Sequence, residues 1–304
     1  MKLFVALLVA VLLAAAGCSG GRSGTLGPAP TAASPTSPAT TPGPAGTPSG
    51  PAPSSTSGTA APGPGTPAPG DTRPGAPPGT VTIELWFTHA GKIVPTRRTR
   101  PATAATSRLA LTELVAGPSP VEASAGLVTG LPAGTTFDVV RIAGGVATVN
   151  AAPVFYSGGG DAVRLRQAQV VYTLTQFPTV SKVGFQSGGQ PVGRGDYGDL
   201  LPAIVVTSPV IGQRVGSPVT VAGTADVFEA TVTVRILDAS GRELATAFTT
   251  ATCGTGCRGD YSVGVGYRLG SEQNGTVEAY EVSAKDGSRI NLVAVPVTLA
   301  ASRG

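Results

Sequence analysis

Along residues 81–87, Val-Thr-Ile-Glu-Leu-Trp-Phe, apolar and polar positions alternate. Val81, Ile83, Leu85 and Phe87 fall on one face and Thr82, Glu84 and Trp86 on the other, as in a strand with one buried face. The turn His-Ala-Gly-Lys leads to a second, short strand through Ile93 and Val94. The spacing then changes. Over Ser107–Ala116, Leu111, Leu114 and Val115 share one helical face, and Gly117-Pro118 ends the helix. The runs FDVVRI and VATVN, separated by Ala-Gly-Gly, predict a hairpin. A longer helix follows, capped by Asp161, with Val163, Val170, Val171, Leu174 and Phe177 near one stripe and Pro178 as its stop. SKVGFQ returns as a last strand. Helices interleaved with hairpins predict an α+β unit, with helices on one face of a mainly antiparallel sheet.

From Ala203 to Leu299 only strand patterns remain: AIVVT, PVTVAGT, TVTVRIL, ELATAFTT, DYSVGVGY, TVEAYEVS and RINLVAVPVTL. Turn signals such as Asp238-Ala239-Ser240-Gly241 and Lys285-Asp286-Gly287-Ser288 separate them, which predicts an all-β sandwich of the immunoglobulin-like class. Between the two units lies GGQPVGRGDYGDLLP, a Gly-rich joint with few large apolar residues and so little to hold the units rigidly. The boundaries expected are 81–195 for the first unit and 200–304 for the second.

The N-terminal quarter follows another rule. Residues 28–70 consist entirely of Pro, Ala, Gly, Ser and Thr, which cannot bury enough apolar surface to offset the entropy of ordering. Residues 19–80 are therefore expected to be a disordered stalk, about 190 Å long if fully extended and nearer 45 Å as a coil. Ahead of it, Lys2 precedes an apolar run from Leu3 to Ala16. At ~1.5 Å per residue that run spans roughly 21 Å, short of the ~30 Å hydrocarbon core, so residues 1–18 read as a signal peptide. Ala15-Ala16-Gly17 before Cys18 resembles the lipobox of bacterial lipoproteins, although Ala15 stands where that family usually has Leu. The resemblance implies a lipidated Cys18 and a protein held at the extracytoplasmic face of the cell membrane. The other reading is a secreted protein cleaved nearby.

Composition narrows the chemistry. With Cys18 lipidated, Cys253 and Cys257 are left as an even pair in an oxidising compartment, and CGTGC is short enough for a tight turn to close a disulfide. One His and three Cys cannot build a His-rich or Cys-rich metal site, and no cofactor is expected. The net charge of +4 divides as +2 before residue 81, +3 over 81–199 and −1 from 200 onward, which is not the field of a nucleic-acid binder.

Three stretches of the first unit, GLVTGLPAGT at 126–135, GGVATVN at 144–150 and QAQVVYTLTQFPTVSKVGF at 167–185, resemble the GerMN domain of sporulation and spore-germination proteins. In the second unit, residues 204–238, RGDYS at 258–262 and residues 281–299 resemble the bacterial spore germination immunoglobulin-like domain. The resemblance implies an extracytoplasmic interaction module, found in envelope lipoproteins, with no catalytic residues.

The residues agree with that implication. His89 is the sole imidazole and has no G-x-S-x-G partner, and Glu84, Glu113, Asp138 and Asp161 are scattered acids rather than a paired set. Gly158-Gly159-Gly160 precedes a helix, but no Lys-Ser/Thr follows and Asp161 would repel phosphate. Arg97, Arg98 and Arg100 form the one dense basic cluster, expected on a loop, where they could meet anionic headgroups or envelope polymer. The Arg-Gly-Asp tripeptides at 194–196 and 258–260 are expected by chance in such a chain. The function expected is a non-catalytic binding or scaffolding module with an envelope protein partner. Peptidoglycan or another glycan is the alternative ligand, and a cell-wall hydrolase a third.

Overall fold

A computed structural model of the chain describes residues 79–302, apart from Ser187. The signal peptide, Cys18 and the stalk, save its last two residues, lie outside the described residues.

The first half opens with a long hairpin. Strand β1 (Thr80–His89) pairs antiparallel with β2 (Lys92–Pro101) through a tip at Ala90-Gly91, both at positive φ. Two helices follow, α1 (Thr106–Ala116) and the short α2 (Pro120–Ser124). A second sheet contains β3 (Phe137–Ala143), β4 (Val146–Ala151) and, after α3 (Gly160–Leu174), β5 (Lys182–Phe185). Gly144 and Gly145, at φ 57° and 78°, make the two-residue turn between β3 and β4 that only a residue tolerant of positive φ closes cheaply. The β4–β5 pair is parallel because α3 crosses over between them.

The two sheets stay separate because α3 occupies the second edge of β1. Gln176 accepts from the Glu84 N–H and donates to the Glu84 carbonyl, each at 2.7 Å. Thr173 Oγ1 accepts from the Trp86 N–H at 3.2 Å, and Gln169 donates to the Trp86 carbonyl at 2.9 Å. Helical spacing puts these three side chains in one row, and the row supplies the hydrogen bonds a neighbouring strand would otherwise give. Beneath lie Ile83, Leu85, Phe87, Leu114, Val171 and Leu174, all fully buried.

Two expectations change here, and the place of Trp86, which the sequence left open, is now seen. Trp86, on the face opposite Phe87, is also buried, its ring 4.6 Å from that of Tyr172. Strand β2 runs to Pro101, well beyond the short strand through Ile93 and Val94. Asp161 sits in the first turn of α3 without capping it, because Gly159 holds the N-cap position and no side-chain cap is made.

The second half is a sandwich. One sheet has the order β10-β9-β12-β13-β7 and the other β11-β8-β6. In chain order the strands are β6 (Ile204–Ser208), β7 (Arg214–Val215), β8 (Val219–Ala225), β9 (Thr231–Leu237), β10 (Glu243–Thr250), β11 (Gly259–Val265), β12 (Gln273–Val282) and β13 (Arg289–Leu299). Seven match the alternating runs of the sequence. The eighth, β7, is too short to show alternation and pairs in parallel with the end of β13. Inward-facing Val221, Val232, Val234, Ile236, Val277 and Leu299 fill the core. The close approach of β8 to β6 requires Gly223, since a Cβ there would strike the Val205 carbonyl. Cys253 and Cys257 are disulfide-linked, with Cα atoms 5.8 Å apart, in the loop between β10 and β11.

The joint is more firmly packed than its glycines suggest. Arg194–Leu200 forms a 3-10 helix, and Tyr197 and Leu201 are buried in the first core. Arg194 lies over the Tyr172 ring at 4.9 Å and the Trp86 ring at 5.7 Å, and it donates to Tyr172 O at 3.0 Å.

Candidate functional site

The basic cluster is part of a strand. On β2 the residues alternate, so Arg97 points to solvent while Arg98 turns inward. Arg98 donates to Glu113 at 3.1 Å, Glu122 at 2.8 Å and Gly117 O at 2.8 Å. Arg100 meets Glu113 through its Nε at 2.7 Å and Nη2 at 2.8 Å. Glu122 is nearly enclosed and also accepts from Thr96 Oγ1 at 2.6 Å and the Ser119 N–H at 2.6 Å. Burial pulls Glu122 upward, but the hydrogen bonds from Thr96, Ser119 and Arg98 outweigh it and hold its pKa below the ordinary value. Glu113 is lowered chiefly by the hydrogen bond from Arg100, against burial and with help from Arg98. This network fastens β2 to α1 and α2. Arg98 spends its donors there, with its side chain 11% exposed.

The remaining candidates stand apart from one another. His89 is exposed at the end of β1, its Nδ1 3.1 Å from Gly126 O. Glu84 accepts from Trp86 Nε1 at 2.8 Å, Glu113 belongs to the arginine network, and Asp138 pairs with Arg108 at 3.2 Å. Arg166 folds over the Gly158 loop and donates to Phe155 O at 2.9 Å and Ser157 O at 2.6 Å. In the first Arg-Gly-Asp, Asp196 accepts from the Gly193 N–H at 2.8 Å; in the second, Arg258 donates to Pro202 O at 2.7 Å. Both tripeptides are tied down locally.

What the sequence did not reveal is a cleft of ≈ 460 Å³ where the β1–β2 tip meets the open side of the sandwich. Val94, Pro95 and Leu127 come from the first half, Val206 from β6, Pro209 and Ile211 from the segment after it, and Leu292–Pro296 from β13. Its volume falls in the usual range of ligand sites, and its walls are mainly apolar. His89 and Lys92 are the titratable side chains in its lining, and no carboxylate joins them. Lys92 Nζ donates to Asp199 O at 2.7 Å, which leaves two of its three N–H groups for another acceptor. The lining comes from four separate stretches of chain, none marked by a motif of its own.

Comparison with known proteins agrees with this two-part architecture. Residues 84–193 match the family described as sporulation and spore germination, and residues 203–288 match the immunoglobulin-like domain of bacterial spore germination. Neither description names a catalytic activity. Among solved structures, the first GerMN domain of the sporulation protein GerM from Bacillus subtilis is 27% identical, covering 38% of this chain and 95% of that one with a TM-score of 0.31. The tandem GerMN domains of the same protein are 20% identical over 74% of this chain and 62% of that one, with a TM-score of 0.33. No curated protein matches the chain.

Proposed function

Taking as premise a chain that carries a sporulation and spore germination domain followed by an immunoglobulin-like domain of bacterial spore germination, we propose that it is a non-catalytic binding module of the cell envelope. A lipid on Cys18 holds it at the extracytoplasmic face of the membrane, and the Pro- and Gly-rich segment sets the folded part off from the bilayer. The partner is an envelope protein, and the surface that receives it is the cleft between the hairpin tip and the sandwich. The cleft is the observation that carries this reading: a mainly apolar recess with a basic rim suits recognition better than proton transfer.

Two experiments test it. Cys18→Ala should abolish partition into the detergent phase, and unchanged membrane association would remove the anchor from the reading. A photoreactive residue in place of Leu292 should crosslink to a protein in intact cells, while one in place of the distant Thr246 should not. A glycan ligand is the second reading, favoured by Phe248 and Phe228, which are 75% and 52% exposed on the sandwich and could stack on sugar rings. Muramidase-sensitive crosslinks from position 248, with none from 292, would select it.

A further inference from the structure

The backbone of β13 says what kind of partner the cleft takes. On the side away from β12, the Thr298 N–H donates to Gln213 O at 3.0 Å, Pro296 O accepts from the Gly212 N–H at 2.8 Å, and the Ala300 N–H donates to Val215 O at 2.9 Å. Even-numbered residues at this end of β13 therefore turn their backbone groups away from the sheet. Pro296 belongs to that row, where a missing N–H leaves no ladder bond unmade. Two residues earlier in the same row, Ala294 presents both its N–H and its carbonyl.

Strand β7 reaches β13 only opposite Thr298 and Leu299, and among the described residues no other strand pairs with this edge. A bulge, with Asn291 at φ 53°, closes the window at the other end. What remains, Leu292–Val295, is a short stretch of strand edge set in the wall of the apolar cleft. Leu292 is 48% exposed there.

We propose that the cleft binds an extended peptide segment of the partner, which adds as a strand to β13 at Ala294 and places apolar side chains on Leu292, Val94 and Ile211. An acidic residue or C-terminal carboxylate of the peptide meets Lys92. Main-chain pairing at an exposed edge gives affinity and register, while alternate side chains and one charge give selectivity. The charge follows from the lining, whose titratable groups are His89 and Lys92 without a carboxylate beside them. The inference rests on the reading of the cleft as the binding surface and adds the chemistry of its occupant.

The full chain should be used to select from a displayed library of random nonapeptides. Enriched sequences should alternate β-branched or aromatic residues with polar ones and carry Asp or Glu at one end. In a synthetic version, N-methylation should weaken binding at alternate positions only, the mark of a paired strand. Ala294→Pro repeats what the chain already has at Pro296, so it should leave the melting temperature unchanged while weakening the peptide roughly fivefold to tenfold. Lys92→Glu should remove the preference for an acidic end.

A flat N-methyl scan, or full affinity in Ala294→Pro, would overturn strand addition. If Leu292→Asp still abolished binding in that case, the cleft itself would stand. No enrichment at all, or peptides indifferent to Leu292→Asp, would overturn both. Protection of position 292 from crosslinking by laurate, with no peptide able to match it, would replace the peptide with an acyl chain.

Discussion

Gln176 brackets Glu84: its Oε1 accepts from the Glu84 N–H and its Nε2 donates to the Glu84 carbonyl, both at 2.7 Å. One side chain on the segment after α3 thus reproduces the two hydrogen bonds of a strand neighbour. Gln169, fully buried, does the same kind of work one register along, holding the Trp86 carbonyl and accepting from the Gly130 N–H at 3.0 Å.

Removing either glutamine amide should therefore cost more than a surface change. Gln176→Leu leaves two backbone groups of β1 without partners in a half-buried site, and Gln169→Leu leaves the buried Trp86 carbonyl and the half-buried Gly130 N–H unpaired. At ~1–3 kcal/mol for each unsatisfied buried group, either variant should lose about 2–6 kcal/mol, read by chemical denaturation. A loss below ~0.5 kcal/mol in both would mean that water replaces the side chains and that the row does not secure the edge.

This row also marks how far the sequence could be read. Apolar periodicity, of two residues in strands and of 3.6 in the helix, located β1, α3 and seven strands of the sandwich, because those elements each bury a regular face. The same rule failed where burial is not apolar. Gln169, Thr173 and Gln176 share a helical stripe, but their polar side chains disguise it as a solvent face. The second half of β2 escaped notice because Thr96, Arg97, Arg98, Thr99 and Arg100 look like a loop; pairing with β1 and the two glutamates makes them a strand. The cleft was illegible for another reason: Val94, Leu127, Val206 and Leu292 are far apart in the chain and meet only through tertiary packing.

The arginine network predicts an acid-sensitive first domain. Glu113 and Glu122 have pKa values held below the ordinary glutamate value of about 4.3. Carboxylates depressed in the folded state contribute stability that is fully present above the unfolded value. That contribution is lost as the pH falls through the folded value. Unfolding free energy should therefore be level from pH 7 to about 5 and decline below about 4.3. Glu122→Gln should lower stability at pH 7 by about 3 kcal/mol, since Arg98 is left enclosed with one anionic partner fewer, and should flatten the decline. Equal acid slopes in the two proteins would remove Glu122 from the linkage.

The packed joint changes where the chain can be cut. A fragment ending at residue 195 keeps every strand and α-helix of the first domain but loses Tyr197 and Leu201, both in its core. At ~2–4 kcal/mol for each large apolar side chain removed, that fragment should be far less stable than one ending at residue 202. Melting the two fragments side by side checks this. Coincident melts would show that the first core closes without the joint.

The disulfide should fasten a loop rather than hold the sandwich together. Cys253 and Cys257 enclose few residues, so the entropy model gives the bond only about 2 kcal/mol. The loop has other ties as well: the Thr255 N–H donates to Val227 O at 3.0 Å and the Gly256 N–H to Asp226 Oδ1 at 2.9 Å. Gly259, just beyond, allows β11 to pass against the Cys253 backbone, where a Cβ would collide. These contacts keep the loop near its place when the covalent link is removed. Replacing both cysteines with serine should lower the melting temperature of the second domain by several degrees and leave a cooperative transition. The peptide affinity of the cleft, which none of these residues lines, should stay the same. Protein purified from the envelope should resist alkylation at both positions until reduced. Two thiols that react freely without reductant would refute the pairing and assign these cysteines another role.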